Sequence, residues 1–349
     1  MKKNKFLELN GHHKDLDKFR VHYDTRCVIC NAMTPSQFIG SVTEHEYSNT
    51  TSLTFPVYRC RTCQLTYLYP RPDVSELKTI YPPDYYSYNF SINKPESKSN
   101  KRSFVKSIWF WLNLRTYRTR ILPFVSHPTG RPLRILDVGC GAGAQLDNIR
   151  KLFPDSETHG VDINKIAIEK AKDSSHKVYC GRFEDIDFPK GYFDVVYSIH
   201  VLEHVERPDI FMRKCLDLLS PDGIVLIETP NTDSLDYKML KKRHWGGYHP
   251  PRHWYLFNIE TFRHLSKQLN AEIISFAPYN TAVFWNWSCH SLCRAVLGKK
   301  MADRLFPPLT IFYGGLHSFI ILSFFSVLEK ILLVLFNKAN SLWVVFKRR

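Results

Sequence analysis

The chain has 349 residues, enough for about two domains of ordinary size or for one large domain with appended segments. Its composition, with 44% hydrophobic, 14% aromatic and 23% charged residues, excludes a disordered or collagen-like chain. Lys and Arg number 48 against 33 Asp and Glu, and this net charge of +15 indicates an anionic partner such as nucleic acid, a phosphorylated substrate or an acidic membrane surface.

The N-terminal residues lack the pattern of a secretory signal. Residues 1–5 are basic, but residues 6–20 are polar and charged where a signal would have an apolar core. We therefore expect no signal peptide and a protein that stays in the cytosol. In that reducing compartment the nine cysteines predict metal ligands or buried thiols, not a disulfide framework.

Four of the cysteines form two Cys-x-x-Cys pairs. Cys27 and Cys30 make the first pair, and Cys60 and Cys63 make the second after an interval of 29 residues. Two such pairs supply the four thiolates of a closed tetrahedral zinc site. A catalytic zinc would need an open coordination position and a redox site would need one pair only, so the spacing predicts a structural zinc in a module over residues 1–72.

The next stretch has a different composition. Residues 73–102 are rich in Tyr, Pro, Ser and Asn, and residues 101–122 mix Lys and Arg with the apolar run 108–111. The second stretch predicts a basic aromatic helix, either lying at a lipid headgroup boundary or packed on the core as an ordinary linking helix. We assign residues 73–131 to a linker that contains it.

From residue 132 onward, strand and helix patterns alternate. Short apolar runs predict buried strands at residues 134–138, 158–162, 193–198, 224–229 and 271–275. Apolar residues at helical spacing predict helices at residues 144–152, 164–172, 210–219 and 261–269. The alternation predicts a doubly wound α/β sheet, and we take residues 132–280 as its core.

The C-terminal part departs from this alternation. Residues 305–328 contain no Lys, Arg, Asp or Glu, and these 24 residues are long enough to span a bilayer core or to lie on it, although Gly, His and Ser dilute the run. We interpret residues 281–338 as an apolar helical insertion and residues 339–349 as the final strand of the sheet. With the net positive charge, the insertion predicts a peripheral or monotopic protein on the cytoplasmic face of a membrane.

Glycines follow the first strand of the predicted core. Gly139 and Gly141 stand where the chain turns into a helix, so a ligand can approach the backbone and the helix N-terminus. These glycines also satisfy a dinucleotide fingerprint. Asp137 favours S-adenosylmethionine, because its carboxylate can take the ammonium of a methionine but would repel a pyrophosphate. Asp162, at the end of the second strand, can accept hydrogen bonds from ribose hydroxyls.

At these motifs the chain resembles the class I S-adenosylmethionine-dependent methyltransferases. The resemblance covers about residues 132–275 and rests on the stretches 136–143, 160–162, 193–196, 201–205 and 219–223. It implies a Rossmann-like sheet of seven strands. It also implies that Asp137, Gly139 and Gly141 hold the methionine part of the cofactor and that Asp162 holds the ribose.

The same resemblance places two further groups at the cofactor. The loop over residues 181–185 would face the adenine through Phe183 and Glu184, and His200 would lie beside the methyl group. Arg182 stands where many relatives carry an acid, so the contact to the adenine amino group would fall to Glu184, to Asp185 or to the backbone.

The cysteine pairs, followed by Pro70-Arg-Pro72 and a tyrosine-rich stretch at residues 81–86, are similar to the N-terminal region of a bacterial subgroup of these methyltransferases. Members of that subgroup often accompany deoxysugar, O-antigen and other surface-glycan pathways. This resemblance implies a sugar or other hydroxylated, lipid-linked acceptor. The sugar C-methyltransferases of the subgroup carry an additional C-terminal Rossmann-like domain, for which we expect no room after Tyr279.

Methyl transfer to oxygen needs a base near the acceptor, and two histidine clusters offer one. His200, Glu203 and His204 follow the strand 193–198 at a spacing that predicts one face of a helical turn, where they either meet substrate or cap and pack the turn. His204 is one candidate base.

The second cluster, residues 244–253, has Gly and Pro residues that predict a loop able to carry an acceptor pocket. Here Arg252 could bind a phosphate or carboxylate, Trp245 or Tyr248 could lie against a sugar ring, and His249 could make a loop hydrogen bond. His253 is the other candidate base.

Two other functions stay open from the sequence. A zinc module with a basic surface is also how an RNA methyltransferase grips a polyphosphate backbone, although the uncharged tail argues against a nucleic-acid partner. A non-catalytic scaffold that holds the cofactor as a structural element is the second alternative. The oligomeric state is not predicted.

Overall fold

A computed structural model describes most of the chain. It covers residues 19–47, 49–82, 85, 122–126, 128–172, 176–312 and 315–349. The basic aromatic helix predicted over residues 101–122 lies outside the described residues, except for Leu122.

The N-terminal part forms a small antiparallel sheet beside a two-stranded ribbon. Its elements are β1 (Val21–His22), β2 (Gln37–Thr43), β3 (Thr54–Arg59), β4 (Thr66–Leu68), β5 (Arg71–Pro72) and the short helix α1 (Leu77–Ile80). β2, β3 and β4 pair in chain order, and β1 pairs with β5. Gln37 at the start of β2 pairs with Arg59 at the end of β3, so the cysteines that precede β2 and follow β3 come together.

The central part alternates strands and helices as the sequence predicted. Its elements are β6 (Arg134–Val138), α2 (Ala144–Leu152), β7 (Glu157–Asp162), α3 (Lys165–Lys172), β8 (Lys177–Cys180), β9 (Phe193–Ile199), α4 (Pro208–Asp217), β10 (Leu219–Pro230), α5 (Leu235–Leu240), β11 (Tyr255–Leu256), α6 (Ile259–Gln268) and β12 (Ala271–Tyr279). The C-terminal elements are α7 (Ala282–Leu297), α8 (Lys299–Leu305), α9 (Leu316–Phe336) and β13 (Ser341–Arg348).

Seven strands form one sheet in the order β12-β13-β10-β9-β6-β7-β8. β13 runs antiparallel to both of its neighbours, whereas the pairings from β10 to β8 are parallel. Central strands such as β9 are buried along nearly their whole length because helices cover both faces of a parallel sheet. The predicted doubly wound, Rossmann-like α/β fold is confirmed. The sequence missed β8, a short edge strand of four residues that are exposed or only partly buried.

The N-terminal sheet is continuous with the central part of the chain. β11 pairs with β4, placing Tyr255 opposite Tyr67 and Leu256 opposite Thr66. The buried side chains of the N-terminal strands belong to the same hydrophobic cluster as those of the large sheet, including Leu136 and Phe262. The cysteine module therefore shares its core with the large sheet instead of forming an independent unit.

Candidate active site

The glycine turn after β6 leaves the backbone open at the carboxyl edge of the sheet. Gly139 has φ +85°, and a Cβ atom there would lie 2.3 Å from Cγ2 of Val201, so only glycine fits. α2 begins at Ala144, directly after the turn. The turn thus brings bare backbone and a helix N-terminus against the segment that follows β9, which is the arrangement that a bound anionic or zwitterionic ligand needs.

Asp137 lies at the end of β6 with 2% of its surface exposed. Burial raises the pKa of this carboxyl to about 8, the nearby Tyr197 hydroxyl opposes the rise, and the charge of Asp162 adds to it. The Oδ2 atom of Asp137 has no hydrogen-bond partner among the described residues. A buried carboxyl oxygen without a partner is costly, and a cationic ligand group such as an ammonium would supply one.

Asp162 closes the glycine turn from the neighbouring strand. The N–H of Gly141 donates to its Oδ2 atom (2.9 Å), and the N–H of Asn164 donates to its Oδ1 atom (2.8 Å). Burial raises the pKa of Asp162, and these backbone donors oppose the rise. The carboxylate is thus oriented by main chain alone, and each oxygen keeps a lone pair for a further donor.

The loop after β8 is held by a lysine that sequence reasoning missed. Lys214 on α4 donates from Nζ to the carbonyl oxygens of Phe183 (2.7 Å), Glu184 (3.0 Å) and Ile186 (2.6 Å). The Phe183 ring is buried against Phe211, with 5.0 Å between ring centroids. The structure therefore gives Phe183 a packing role under the loop, in contrast to the predicted cofactor contact. Glu184 is partly exposed and lies 3.8 Å from Arg182.

His200 sits between two carboxylates at the end of β9. Its Nδ1 atom lies 3.0 Å from Oε1 of Glu203, and its Nε2 atom lies 3.3 Å from Oε1 of Glu228. Burial disfavours the imidazolium, but hydrogen bonds to the two carboxylates outweigh it and raise the pKa of His200 to about 10. His200 is therefore protonated near neutral pH, which suits it to hold charge and not to accept a proton.

The predicted helical turn through these residues is wrong in detail. His200 has φ +53°, and only Leu202–His204 form a single 3₁₀ turn. Glu203 points into the protein with no exposed side-chain surface. Burial raises its pKa, yet the His200 imidazolium outweighs burial and holds the pKa of Glu203 at about 2. The three side chains do meet, through a β-strand end and not through a helix face.

His204 and His253 lie side by side, with 4.6 Å between ring centroids. The Nδ1 atom of His204 lies 3.1 Å from the carbonyl oxygen of Arg252, and that of His253 lies 2.8 Å from the carbonyl oxygen of Gly247. Because carbonyl oxygens only accept, we assign the proton to Nδ1 in both rings, which leaves a lone pair on each Nε2 atom; the Tyr81 hydroxyl near Nδ1 of His204 then acts as a second acceptor. Burial lowers the pKa of each ring, which keeps both neutral at neutral pH.

The two histidines differ in their access to solvent. His253 is 4% exposed, whereas His204 is only partly buried and its ring meets Tyr81, whose hydroxyl lies 2.8 Å from Nδ1. One side-chain atom each of Glu203, His204 and His253 lies within 4.8 Å of the others, an arrangement in which the three could surround a cation. Tyr81 belongs to the tyrosine-rich stretch at residues 81–86, but the sequence did not predict its contact with His204.

The second histidine cluster, residues 244–253, is called the histidine loop below, and the rest of it does not form an acceptor pocket. Trp245 and Tyr248 are 1% and 0% exposed, so neither ring is available to a sugar. Arg252 has no exposed side-chain surface and pairs with Glu44, which excludes the predicted contact to a substrate phosphate. His249 is buried and bonds to Glu46 through Nδ1, as a loop hydrogen bond would. Arg252 and His249 thus join the loop to Glu44 and Glu46 of the N-terminal segment.

The four predicted metal ligands come together in the N-terminal part. The Sγ atoms of Cys27 and Cys63 are 3.6 Å apart, those of Cys30 and Cys60 are 3.5 Å apart, and all four lie within 4.8 Å of one another. A zinc tetrahedron with Zn–S bonds of ~2.3 Å has S–S edges of about 3.8 Å. The hydrogen bond from Cys63 lowers the pKa of Cys27 to about 6. The donor set and its spacing fit a zinc ion.

The two cysteine turns have the same backbone pattern. The N–H of Cys27 donates to the carbonyl of Ala32, and the N–H of Cys60 donates to that of Leu65. The residue after each pair, Asn31 or Gln64, has a left-handed conformation with φ near +60°. Two equivalent turns from distant parts of the chain thus present their thiols to one point.

Comparison with known proteins agrees with this geometry. Residues 110–275 match the model of a family described as "Methyltransferase domain". Residues 110–275, just under half of the chain, are thus similar to a methyltransferase domain. This match agrees with the sequence prediction of a methyltransferase-type enzyme.

Curated relatives of the methyltransferase domain are O-methyltransferases by name. The "Ubiquinone biosynthesis O-methyltransferase" of Bradyrhizobium diazoefficiens is 36% identical over 105 residues, which cover 28% of this chain and 40% of the relative. The mitochondrial protein of that name from Saccharomyces cerevisiae is 30% identical over 113 residues, covering 30% of this chain and 35% of the relative. The chain thus spans about 40% or less of the length of these relatives.

Solved structures also resemble the methyltransferase domain. A "SAM dependent methyltransferase from Archaeoglobus fulgidus" is 20% identical, covers 72% of this chain and 100% of its own, and has a TM-score of 0.44. Coclaurine N-methyltransferase is 14% identical, covers 73% of this chain and 75% of its own, and also has a TM-score of 0.44.

Proposed function

We propose that this protein transfers a methyl group from S-adenosylmethionine to a hydroxyl oxygen, with His204 as the base. The observation that carries the proposal is that Nδ1 of His204 lies 3.1 Å from the carbonyl oxygen of Arg252 while its ring is only partly buried. Its Nδ1–H is directed to a carbonyl oxygen, its Nε2 lone pair is available, and it lies one turn from the residue that packs on Gly139. His253 has the same tautomer but is almost fully buried, which makes it the weaker candidate.

The cofactor residues follow from the same edge of the sheet. Asp137, with its orphaned oxygen, would take the ammonium of the methionine, and Gly139 and Gly141 would let the methionine lie against the backbone. Asp162 would accept from the ribose hydroxyls, and Glu184 would lie at the adenine. When bound, the cofactor supplies the electrophilic methyl group. The His200 imidazolium would stay paired with Glu203 and Glu228. This pairing would order the turn next to the methyl group of the cofactor.

For the acceptor we propose a hydroxyl on a lipid-linked molecule. The resemblance of the cysteine module to surface-glycan methyltransferases supports a sugar. The names of the curated relatives support a second acceptor class, a hydroxylated intermediate of ubiquinone biosynthesis. Both classes present an oxygen that loses its proton on methylation, so His204 would serve either one.

We propose a structural and not a catalytic role for zinc at the four cysteines. All four thiols converge, leaving no open coordination position for a substrate. The second cysteine turn precedes β4, which pairs with β11. Zinc would therefore stabilise the end of the sheet that carries the histidine loop.

The test is a methyl-transfer assay of the full-length protein with tritiated S-adenosylmethionine. The acceptor panel contains nucleotide sugars, polyprenyl-linked sugars and polyprenyl phenols. We expect His204→Gln to lower kcat about 100-fold or more while the affinity for the cofactor is unchanged, because a general base contributes roughly that much. The matched control is His22→Gln, whose ring is 44% exposed.

Three other results would redirect the assignment. Loss of kcat in His253→Gln with normal kcat in His204→Gln would move the base to His253. Methylation of RNA in preference to every small acceptor would replace the acceptor class. Tight cofactor binding without turnover on any acceptor would indicate a scaffold and not an enzyme.

A further inference from the structure

We propose that α9, together with the exposed edges of α7 and α8, is a docking surface for an anionic lipid bilayer, and that α9 lies on the bilayer and does not cross it. The proposal goes beyond the methyl-transfer chemistry and does not depend on the acceptor. It rests on how α9 is attached, on what its outer face exposes and on the charges that border that face.

One face of α9 is bound to the rest of the protein near its middle. Phe325 and Glu329 are 5% and 1% exposed. The ring of Trp285 on α7 stacks on Phe325, with 6.1 Å between centroids, and its Nε1 donates to Glu329. The side-chain amide of Asn280 donates to the carbonyl oxygen of Ser326 (3.1 Å). The inner face is thus fixed by packing and by hydrogen bonds.

The opposite face carries apolar side chains at intervals of three and four residues. Their exposed fractions run from 48% to 83%, and they are Leu316, Phe319, Ile320, Phe324, Val327, Ile331, Val334 and Leu335. Exposed apolar side chains also occur on α7 and α8, and they are Leu292, Val296, Leu297, Met301 and Leu305, which are 40% to 72% exposed. Apolar side chains exposed in this number mark an interaction site in a folded protein.

Basic side chains border these exposed apolar side chains. Lys299, Lys300 and Arg304 on α8 and Lys330 on α9 are exposed. Asp303 is the acid among them, and it pairs with Lys299 (2.6 Å). An apolar centre with a cationic border matches a bilayer, whose acyl region accepts the apolar side chains while anionic headgroups attract the cations. We therefore favour a lipid surface over a protein partner.

The attachment of α9 decides between lying on the membrane and spanning it. By length and composition α9 is long and apolar enough to cross a bilayer. A crossing would pull Glu329 away from Trp285 and place its carboxyl in hydrocarbon, which is costly. The helix also ends four residues before β13, and Asn340 in that short link is buried and bonded to Thr281. Both the middle and the end of α9 are thus tied to the methyltransferase domain.

The first experiment measures flotation of the full-length protein with vesicles of phosphatidylcholine alone or mixed with phosphatidylglycerol. We expect binding to the mixed vesicles that weakens when phosphatidylglycerol is left out. The double variant Phe324→Asp, Val327→Asp should bind at least about tenfold more weakly, because two apolar side chains that enter the bilayer become charged. The matched control, Ile166→Asp with Met239→Asp, changes two apolar residues that are 65% and 74% exposed elsewhere.

The second experiment measures how deeply α9 enters the bilayer. A genetically encoded fluorescent amino acid replaces Ile320, Val327 or Val334, and lipids with a quencher at a shallow or a deep acyl position report its location. We expect all three positions to be quenched best by the shallow quencher. Deep quenching at 327 with shallow quenching at 320 and 334 would show a spanning helix and overturn the proposal.

Two further outcomes would also overturn it. Equal binding of the α9 double variant and the control pair would show that another surface meets the lipid. The wild-type protein could also fail to bind vesicles and be a dimer by light scattering, with the α9 double variant a monomer. That result would show that a second copy of the chain, and not a bilayer, covers the apolar face of α9. Retained affinity for S-adenosylmethionine shows that each variant is folded, and this readout is independent of the acceptor.

Discussion

Arg252 and Glu44 form an ion pair in which the side chains are 0% and 1% exposed, and this pair joins the histidine loop to the N-terminal segment. The guanidinium also donates to the carbonyl oxygen of Ile80 (3.0 Å), and Glu46 lies 3.9 Å away. Burial disfavours the charged guanidinium, but the two glutamates outweigh it and keep the pKa of Arg252 above its ordinary value. The pair thus fixes the loop that contains His253.

Replacing Arg252 with leucine should destabilise the protein strongly. Glu44 would remain buried without its cation, and breaking such a pair costs about 3–5 kcal/mol. The control is Arg263→Leu, because Arg263 pairs with Glu260 on the surface and such pairs contribute about 0–1 kcal/mol. Urea denaturation of both variants measures the difference. Equal losses would mean that the buried pair contributes no more than a surface pair.

Stability should depend on the protonation of His200. Its folded-state pKa of about 10 lies above the ordinary value of 6.5, so its contribution is complete below pH 6.5 and disappears as the pH rises through 10. We expect His200→Gln to lower the free energy of unfolding by about 3 kcal/mol at pH 6 and by much less at pH 10.5. Denaturation at the two pH values checks this. A pH-independent difference would show that the ring contributes by packing alone.

Cofactor binding should release a proton from Asp137. The pKa of about 8 leaves this carboxyl mostly protonated at pH 7, and pairing with an ammonium would lower its pKa and ionise it. Calorimetry at pH 7 in buffers of different ionisation enthalpy should find close to one proton released by the wild-type protein and clearly fewer by Asp137→Asn. Release of the same number of protons by both proteins would contradict the pairing of Asp137 with the ammonium of the cofactor.

Asp162→Ala should abolish measurable binding of S-adenosylmethionine without unfolding the chain. The variant loses the proposed ribose acceptor, and it also frees the N–H groups of Gly141 and Asn164 that orient the turn. Asp222→Ala removes an aspartate that is 74% exposed and serves as the control. Calorimetry with circular dichroism measures both properties. Unchanged affinity in Asp162→Ala would contradict the ribose assignment.

Cys60→Ser should lose bound zinc and destabilise the N-terminal sheet. A structural zinc site contributes directly to folding free energy, so chelation of the wild-type protein should have the same effect. Cys180→Ser is the control, because Cys180 is exposed and lies outside the cluster. Metal content per chain and thermal unfolding test the prediction. One zinc ion per chain in Cys60→Ser would refute the four-thiolate site.

Local sequence signals were enough to bring the proposed cofactor residues to one edge of the sheet. Asp137, Gly139 and Asp162 each stand at the end of a strand whose apolar run is visible in the sequence, and strand ends in a parallel sheet meet at one edge. The convergence of the cysteine pairs was equally predictable, because their spacing is typical of four ligands to one metal. In both cases, short stretches of chain determine the geometry.

The histidine loop could not be read in this way. The sequence suggested Arg252, Trp245 and Tyr248 as acceptor contacts, whereas the structure buries all three. Glu44 precedes Arg252 by 208 residues, and no local sequence pattern predicts an ion pair between residues so far apart in the chain. Phe183 shows the same limit, since its burial depends on where Phe211 of α4 lies.

Strand periodicity, glycine turns and metal spacing are properties of a few adjacent residues, so the alternating α/β core, the methyltransferase motifs and the four candidate zinc-ligating cysteines could be predicted without a structure. The accessibility of polar side chains follows from the folded chain instead. The structure leaves His204 partly accessible and buries Arg252, and it ties α9 to the domain through Glu329. Burial and ion pairing depend on residues far apart in the chain, so they exist only once the chain has folded.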